Sequence, residues 1–318
     1  MNIIRRILFV INPISGTRAK DGLERFLMQQ CKEKGIEYTI LHSTKSTNAI
    51  SLEMAAYDFK ATDLVACGGD GTVNISAAAA MNAGINLGII PVGSGNGLAR
   101  TAGIALKPSL AFKTIMEGVL QPTDAFHING KFGCMLSGVG MDAAVAERFE
   151  KSHHRGIYTY TTETLIQFFK ANPYQFEVTL GEFRFFTDAF FISVANSNQF
   201  GNNITIAPLA SLNDAMLDVI IVQKMPKAAL PFAIMKQMRH NKSLKNWTDQ
   251  IGKQSILYFQ TPSISISNHK LAPLHIDGDP ADTEKLLQYE IIGNAFNLWV
   301  PLMAAKKLIP QKTKALAQ

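Results

Sequence analysis

Two rhythms of apolar and polar positions alternate along the first 120 residues. "ILFVIN" and "DLVACGGD" carry unbroken apolar runs, as strands covered on both faces require. "AKDGLERFLMQQCKEKG" instead sets Leu23, Phe26, Leu27 and Cys31 at helical spacing and stops at Gly35. "IEYTILHST" predicts a second strand and "AISLEMAAYDF" a second helix. The alanine-rich "NISAAAAMNAG" is a helix between "DLVACGGD" and a fourth strand, "INLGIIPVG". Strand–helix alternation of this kind predicts βαβ units and a mostly parallel sheet.

The texture changes after Pro122. "DAFHINGKFGCMLSGVG" predicts a hairpin turning at Asn129-Gly130. A helical insert is expected over roughly 142–171, followed by the β-rich segments "YQFEVTL", "FRFFTDAFFISVANS", "NITIAP" and "MLDVIIVQ". "PKAALPFAIMKQMRH" predicts a helix, and "ILYFQTPSISISN", "LHIDGDP" and "LLQYEIIGNAFNLWVP" return to strands. The expected organisation is an α/β N-terminal domain, 1–123, and a β-rich antiparallel C-terminal domain, 124–301, with 302–318 packing back on the first.

Composition sharpens this picture only a little. With 47% hydrophobic and 18% charged residues the chain is neither disordered nor membrane-spanning. The opening "MNIIRRILFVINPISG" has a signal-like look, but its apolar run is short and no small-residue cleavage site follows, so a buried first strand is expected. Cys31, Cys67 and Cys134 are isolated and odd in number, which suggests neither a disulfide framework nor a zinc site and fits a reducing cytoplasm. The net charge of +6 is either a solvated surface or an attraction to anionic headgroups or nucleic acid, with Arg5, Arg6, Lys306, Lys307, Lys312 and Lys314 as candidates. Basic residues interleaved with aromatics are lacking, so no nucleic-acid partner is expected. Nothing in the sequence specifies an oligomeric state.

Chemistry concentrates in three loops at consecutive strand ends: "NPISG" (Asn12 to Gly16), "GGDGT" (Gly68 to Thr72) and "GSGNGLAR" (Gly93 to Arg100). Ligands of open α/β sheets lie beyond the carboxyl ends of the strands, where glycines let backbone approach phosphate and helix starts offer N–H groups. A Walker A loop is absent, and "GVGMDA" imitates a dinucleotide fingerprint from the β-rich half, outside a βαβ unit. Asp70 lies inside one of these glycine turns. A bare triphosphate would be repelled there, but a nucleotide arrives with Mg²⁺, which a carboxylate can reach directly or through water. Alternatively, Asp70 caps a helix beginning at Thr72.

"NPISG", "CGGDGTVN" and "PVGSGNGLAR", in this order, resemble the diacylglycerol kinase catalytic-domain superfamily, which includes bacterial lipid kinases and sphingosine kinases and shares its fold with NAD kinases. "GVGMDAAVA", "APLASLNDAMLDVIIV" and "HIDGDP" extend the resemblance over essentially the whole chain. It implies that Asn12, Ser15 and Thr44 lie near the nucleotide. Gly68, Gly69, Asp70, Gly71, Thr72 and Asn74 would hold phosphates and Mg²⁺, with Ser94 and Asn96 alongside. Ser211, Asp214 and Met216 would form a structural Mg²⁺ site, unless Asp214 is a plain turn aspartate. Asp279 would be the base that accepts the alcohol's proton, in "DGD" where the family has a "DGE"-like motif; otherwise "DGDP" is a surface hairpin turn. Asp142 falls near the acid with which sphingosine kinases meet the substrate amine, although helix capping explains it equally well. Ile75 and Gly97 stand where the family often has acidic residues.

The function these residues imply is an ATP- and Mg²⁺-dependent kinase for a hydroxyl of a diacylglycerol-like or sphingoid lipid, cytoplasmic and peripheral to the inner membrane surface. The rivals are an NAD kinase-like enzyme and a catalytically inert nucleotide-binding regulator.

Overall fold

The computed structural model describes residues 5–13, 20–141, 143, 172–199, 207, 209–226 and 255–304. The predicted insert at 142–171, "NITIAP", the helix read in "PKAALPFAIMKQMRH" and the tail from 305 onward lie wholly or largely outside them. The chain divides into two compact units: 1–124 with 211–214 and 293–318, and 125–210 with 215–292. The return to the first unit thus begins at Gly293, where the sequence placed it at 302, and the short excursion 211–214 carries no sequence signal.

The first unit is built on β1 (Arg6–Ile11), β2 (Glu37–His42), β3 (Asp63–Gly68) and β4 (Asn86–Pro91), joined by the end of a later strand, β15 (Leu286–Val300). All pair in parallel, in the spatial order β2-β1-β3-β4-β15. β3 is buried throughout, and β1 and β4 are buried from their second residues on, as the apolar runs require. The crossings are made by α1 (Lys20–Lys34), α2 (Ala49–Phe59) and α3 (Asp70–Ala83); α4 (Gly97–Thr101) and α5 (Pro108–Glu117) follow β4. Asn48 starts α2 with a reciprocal cap, its Oδ1 accepting the Ser51 N–H while Ser51 Oγ accepts the Asn48 N–H. The alanine run of α3, Ala77 to Ala80, is buried, because small side chains let this helix lie close to its neighbours.

At the amino ends of these strands Asp63 is 1% exposed yet fully engaged. Arg5 donates to both its oxygens (2.9 and 3.1 Å), Trp299 Nε1 donates at 2.6 Å and Thr62 Oγ1 at 2.7 Å, while the Arg5 guanidinium stacks 4.5 Å from the Trp299 ring centre. A buried carboxylate is tolerable only with such partners. Arg6 pairs with Glu37 and lies over Phe59. Arg5, considered above as a headgroup contact, is therefore committed to buried Asp63, while Arg6 keeps 33% of its side chain exposed beside Glu37. Cys31, Cys67 and Cys134 are buried thiols, none of them in a disulfide.

The second unit is antiparallel. β5 (Val119–Ile128) turns into β6 (Lys131–Gly133) at Asn129-Gly130, both with positive φ, the two-residue turn its Asn-Gly predicts. β7 (Leu136–Gly140), β8 (Tyr174–Leu180), β9 (Phe183–Ala195), β10 (Leu217–Gln223), β11 (Ile256–Thr261), β12 (Ser263–Ser267), β13 (Leu274–Ile276) and β14 (Asp279–Ala281) complete it. "ILYFQTPSISISN" is not one strand. It breaks at Pro262, β11 pairing β10 while β12 pairs β8 and β15. Both faces of β10 are buried: Val219 and Ile221 pack with Phe176, Ile192 and Phe259, and Ile220 and Val222 with Phe190 and Tyr258. That burial on two sides requires its continuous apolar run. No described helix is long and apolar enough to cross a membrane.

Candidate functional site

Strand order in the first unit reverses between β1 and β3, the position at which open α/β sheets bind ligands. The "NPISG" and "GGDGT" loops leave the carboxyl ends of those two strands. Asn12 ties them together: its N–H donates to Cys67 O (3.1 Å) and its Nδ2 to Thr72 Oγ1 (3.2 Å). Ser15 lies outside the described residues.

The β3 and β4 loops touch backbone to backbone. A Cβ on Gly93 would stand 2.3 Å from the Gly69 Cα, so Gly93 cannot be replaced without moving a loop, while a Cβ on Gly69 would stand 3.3 Å from the Gly93 Cα, a tight contact. These glycines thus allow loop-on-loop packing as well as the approach to phosphate that their sequence context predicts. Asp70 reinforces the seam. Its Oδ1 accepts the Gly97 N–H (2.7 Å) and its Oδ2 the Asn96 N–H (2.9 Å), at the start of α4. Gly97 is thus a backbone donor to Asp70. A Cβ on Gly95 would lie 2.4 Å from Asp70 Oδ2.

The cap alternative for Asp70 is corrected by this geometry. α3 begins at Asp70 itself, its N-cap is Gly69, and no side chain caps it. The first-turn N–H groups of α3, including Gly71 and Thr72, therefore present the positive end of a four-turn helix beside the seam. Asn74 is half-buried on the same helix and Ser94 is exposed in the third loop. Asn96, in the left-handed region at φ 55°, folds its amide back on Gly93 (Oδ1 to N–H 3.1 Å, Nδ2 to O 2.7 Å). Arg100, which carries no signal of its own in the sequence, donates to Gly95 O at 2.9 Å. Thr44 is exposed just before α2, its Oγ1 2.8 Å from Ser46 Oγ and its N–H donating to Thr47 Oγ1.

In the second unit, Asp277 and Gly278 are the two positive-φ residues of the turn between β13 and β14, so "DGDP" is a hairpin turn in backbone terms. The two aspartates differ sharply. Asp279 opens β14 with an exposed side chain. Asp277 is buried, its Oδ1 accepting the N–H groups of Met135 (2.8 Å) and Leu136 (2.9 Å), its Oδ2 that of Cys134 (2.9 Å). His275 Nδ1 accepts the Gly278 N–H at 3.3 Å. The sequence offered no signal for this clasp beyond the motif itself.

Of the second metal set, Ser211 and Asp214 belong to the first unit and Met216 to the second; Ser211 Oγ contacts Asn213 Oδ1 at 3.0 Å. Asp142 lies outside the described residues. Among those residues no three His, Cys, Asp or Glu side chains gather as a metal cluster. Burial pushes the Cys31 thiol up to about 11, against an opposing pull from Arg5, and the Cys67 thiol higher still, so both stay protonated and inert as nucleophiles.

Residues 6–128 match the family model of the diacylglycerol kinase catalytic domain, and 136–298 that of the YegS C-terminal NAD kinase beta sandwich-like domain. The chain belongs to the diacylglycerol kinase family. Its relatives include a diacylglycerol kinase of Bacillus subtilis, 25% identical over 87% of this chain and 90% of that one. A protein of Shewanella frigidimarina named "Probable lipid kinase YegS-like" is 22% identical over 91% and 92% of the two chains. A crystal structure of a diacylglycerol kinase from Bacillus anthracis superposes with a TM-score of 0.69 at 19% identity, covering 96% of this chain and 99% of the other, which speaks for the fold alone. Kinase membership accounts for the pairing of an α/β glycine-loop unit with a β-sandwich-like one.

Proposed function

We propose that this family member transfers the γ-phosphoryl group of ATP, with Mg²⁺, to a hydroxyl of a diacylglycerol-like or sphingoid lipid, working from the cytoplasm at the inner membrane surface. The observation that carries the reading is the Asp70 seam: a carboxylate held by two N–H groups of the third loop, at the uncapped start of α3 and beside the switch point. The donor set fits the ion, since Mg²⁺ favours hard oxygen ligands and is commonly held by one or two carboxylates together with substrate phosphates. Mg²⁺, when bound, supplies neutralisation of the developing phosphate charge.

The chain's own residues would do the rest. Asp70 would present its carboxylate to the metal in an orientation set by Asn96 and Gly97. The N–H groups of Gly71 and Thr72 would hold phosphate oxygens, flanked by Gly68, Gly69, Asn74 and Ser94. Asn12, Ser15 and Thr44 would border the rest of the nucleotide. Asp279 would accept the proton of the lipid hydroxyl, and its exposure leaves it open to an incoming substrate. Asp142 would meet a polar headgroup, and Ser211, Asp214 and Met216 would hold a second, structural Mg²⁺.

Transfer of radiolabelled phosphate from ATP to a panel of diacylglycerols and sphingoid bases, with Mg²⁺ and with chelator, tests the reading. Asp70→Asn, nearly isosteric, should abolish transfer while the protein stays folded. Transfer to NAD in place of lipid would favour the NAD kinase-like alternative. Nucleotide binding without transfer to any acceptor would favour an inert regulator, a reading to which Ile75 and Gly97 lend some weight.

A further inference from the structure

We infer that the first unit carries a docking surface for an anionic lipid bilayer, formed by Leu106, Leu120, Leu302 and Met303 with Lys107 and Lys113; the inference rests on the lipid kinase reading. Large apolar side chains are rarely left in water in clusters, and an exposed patch of them marks an interaction surface. Leu302 is 58% exposed and Met303 81%. Leu106 and Leu120 are exposed too, and two close approaches bring these residues to one place. A Cβ on Gly103 would lie 3.0 Å from the Ala304 Cβ, and one on Gly118 would lie 2.4 Å from Val300 O. The segment 300–304 therefore runs from Gly118 toward Gly103, flanked by Leu120 at one end and Leu106 at the other.

Charge decides the occupant. Lys107 and Lys113 are exposed beside the patch, Lys113 with Glu117 as its partner at 3.6 Å. The sequence continuing from Ala304 carries Lys306, Lys307, Lys312 and Lys314, with no acidic residue as far as 318. Apolar side chains beside Lys107, continued along the chain by a lysine-rich segment, suit a surface that is oily within and anionic at its face. Placement fits the same partner. β15 runs parallel to β4, with Asn297 opposite Asn86 and Leu298 opposite Leu87. Leu302 and Met303 thus leave the sheet at the carboxyl edge from which the Gly93–Gly97 loop leaves β4. Docking there would bring the phosphate-binding edge of the sheet to the membrane in which a lipid acceptor resides.

The test uses the full chain and vesicles of phosphatidylcholine with and without phosphatidylglycerol. Sedimentation should show binding to the anionic vesicles, weakening as salt rises from about 0.1 M, because headgroup attraction is screened beyond about 8–10 Å. Leu302→Asp combined with Met303→Asp should lower binding at least tenfold, since two exposed apolar side chains no longer partition. Met303→Trp should bind at least as tightly, with its emission shifted to the blue on vesicle addition. Transfer to detergent-dispersed lipid should be the same in the Asp variant as in wild type, while transfer to vesicle-borne lipid falls with binding. Wild-type vesicle binding by the Asp variant, no blue shift in Met303→Trp, or a loss of self-association with vesicle binding unchanged would each overturn the inference. If the wild-type protein binds vesicles through this patch but phosphorylates no dispersed lipid, the kinase reading fails and the docking surface stands.

Discussion

Replacing Asp277 by asparagine should unfold the second unit at a lower denaturant concentration, while the same change at Asp279 should leave stability intact and remove activity. Asparagine is the cleanest probe at 277, because it tolerates the left-handed conformation that Asp277 adopts at φ 52°. The amide would keep its oxygen toward Met135 and Leu136, the position with two N–H donors. Its NH₂ would then face the Cys134 N–H, donor against donor. Stranding a buried donor costs about 1–3 kcal/mol, and exchanging two charge-assisted bonds for neutral ones adds roughly 1–3 more. A total of about 2–6 kcal/mol follows. Asp279 is exposed, and surface substitutions usually stay within about 0.5 kcal/mol.

Urea unfolding followed by circular dichroism, run beside turnover on both variants, separates the two roles. Asp277→Asn should shift the midpoint markedly at an unchanged slope. Asp279→Asn should unfold like wild type and transfer phosphate roughly 10²–10⁴-fold more slowly, the range typical of a lost general base. Asp279→Glu, which keeps the carboxylate on an arm one methylene longer, should keep substantial activity. A wild-type midpoint for Asp277→Asn would refute the clasp, and wild-type turnover for Asp279→Asn would refute the base.

Further consequences are simpler to check. Gly93→Ala should cripple nucleotide binding, measured by calorimetry, because its Cβ meets the Gly69 backbone; Gly22→Ala, with nothing within 4 Å, should stabilise α1 by about 0.5–1 kcal/mol in urea unfolding. Trp299→Phe should cost about 1–2 kcal/mol in thermal unfolding by removing a donor from buried Asp63. The raised Cys31 thiol means that the unfolded chain ionises first: the stability it contributes is complete below about pH 9 and lost as pH climbs through about 11. Cys31→Ala should flatten that alkaline decline, and native protein at pH 8 should alkylate at Cys31 and Cys67 far more slowly than unfolded protein.

What was legible in the sequence is what repeats locally. The first four strands could be read because strands buried on both faces must be apolar without a break, and "AISLEMAAYDF" because its cap lies beside it in the chain. The loops could be read because glycines clustered between a strand end and a helix start leave the backbone bare, and bare N–H groups there suit an anion. Asp63 was invisible, since its Trp299 partner lies 236 residues away and no periodicity encodes that distance. Arg5 was misjudged for the same reason: a basic residue looks solvated until its buried acid is found. Asp277 and Asp279 are two positions apart and chemically identical, so only the fold separates the one clasped by backbone from the one open to solvent.

Asp70 shows why even a well-read motif is incomplete. Its sequence context pointed to phosphate and metal, yet in the fold its oxygens also receive the Asn96 and Gly97 N–H groups, 26 and 27 residues away. A carboxylate that braces two loops, and on the proposed reading meets a metal, has its orientation fixed before any ligand arrives. Such a group would work by preorganisation: the donors that hold it would cost nothing at the moment of transfer, and a lengthened arm would push against Gly95. Glycine at 95 and aspartate at 70 are thus one device, in which the glycine leaves the acid room and the N–H groups of Asn96 and Gly97 hold it.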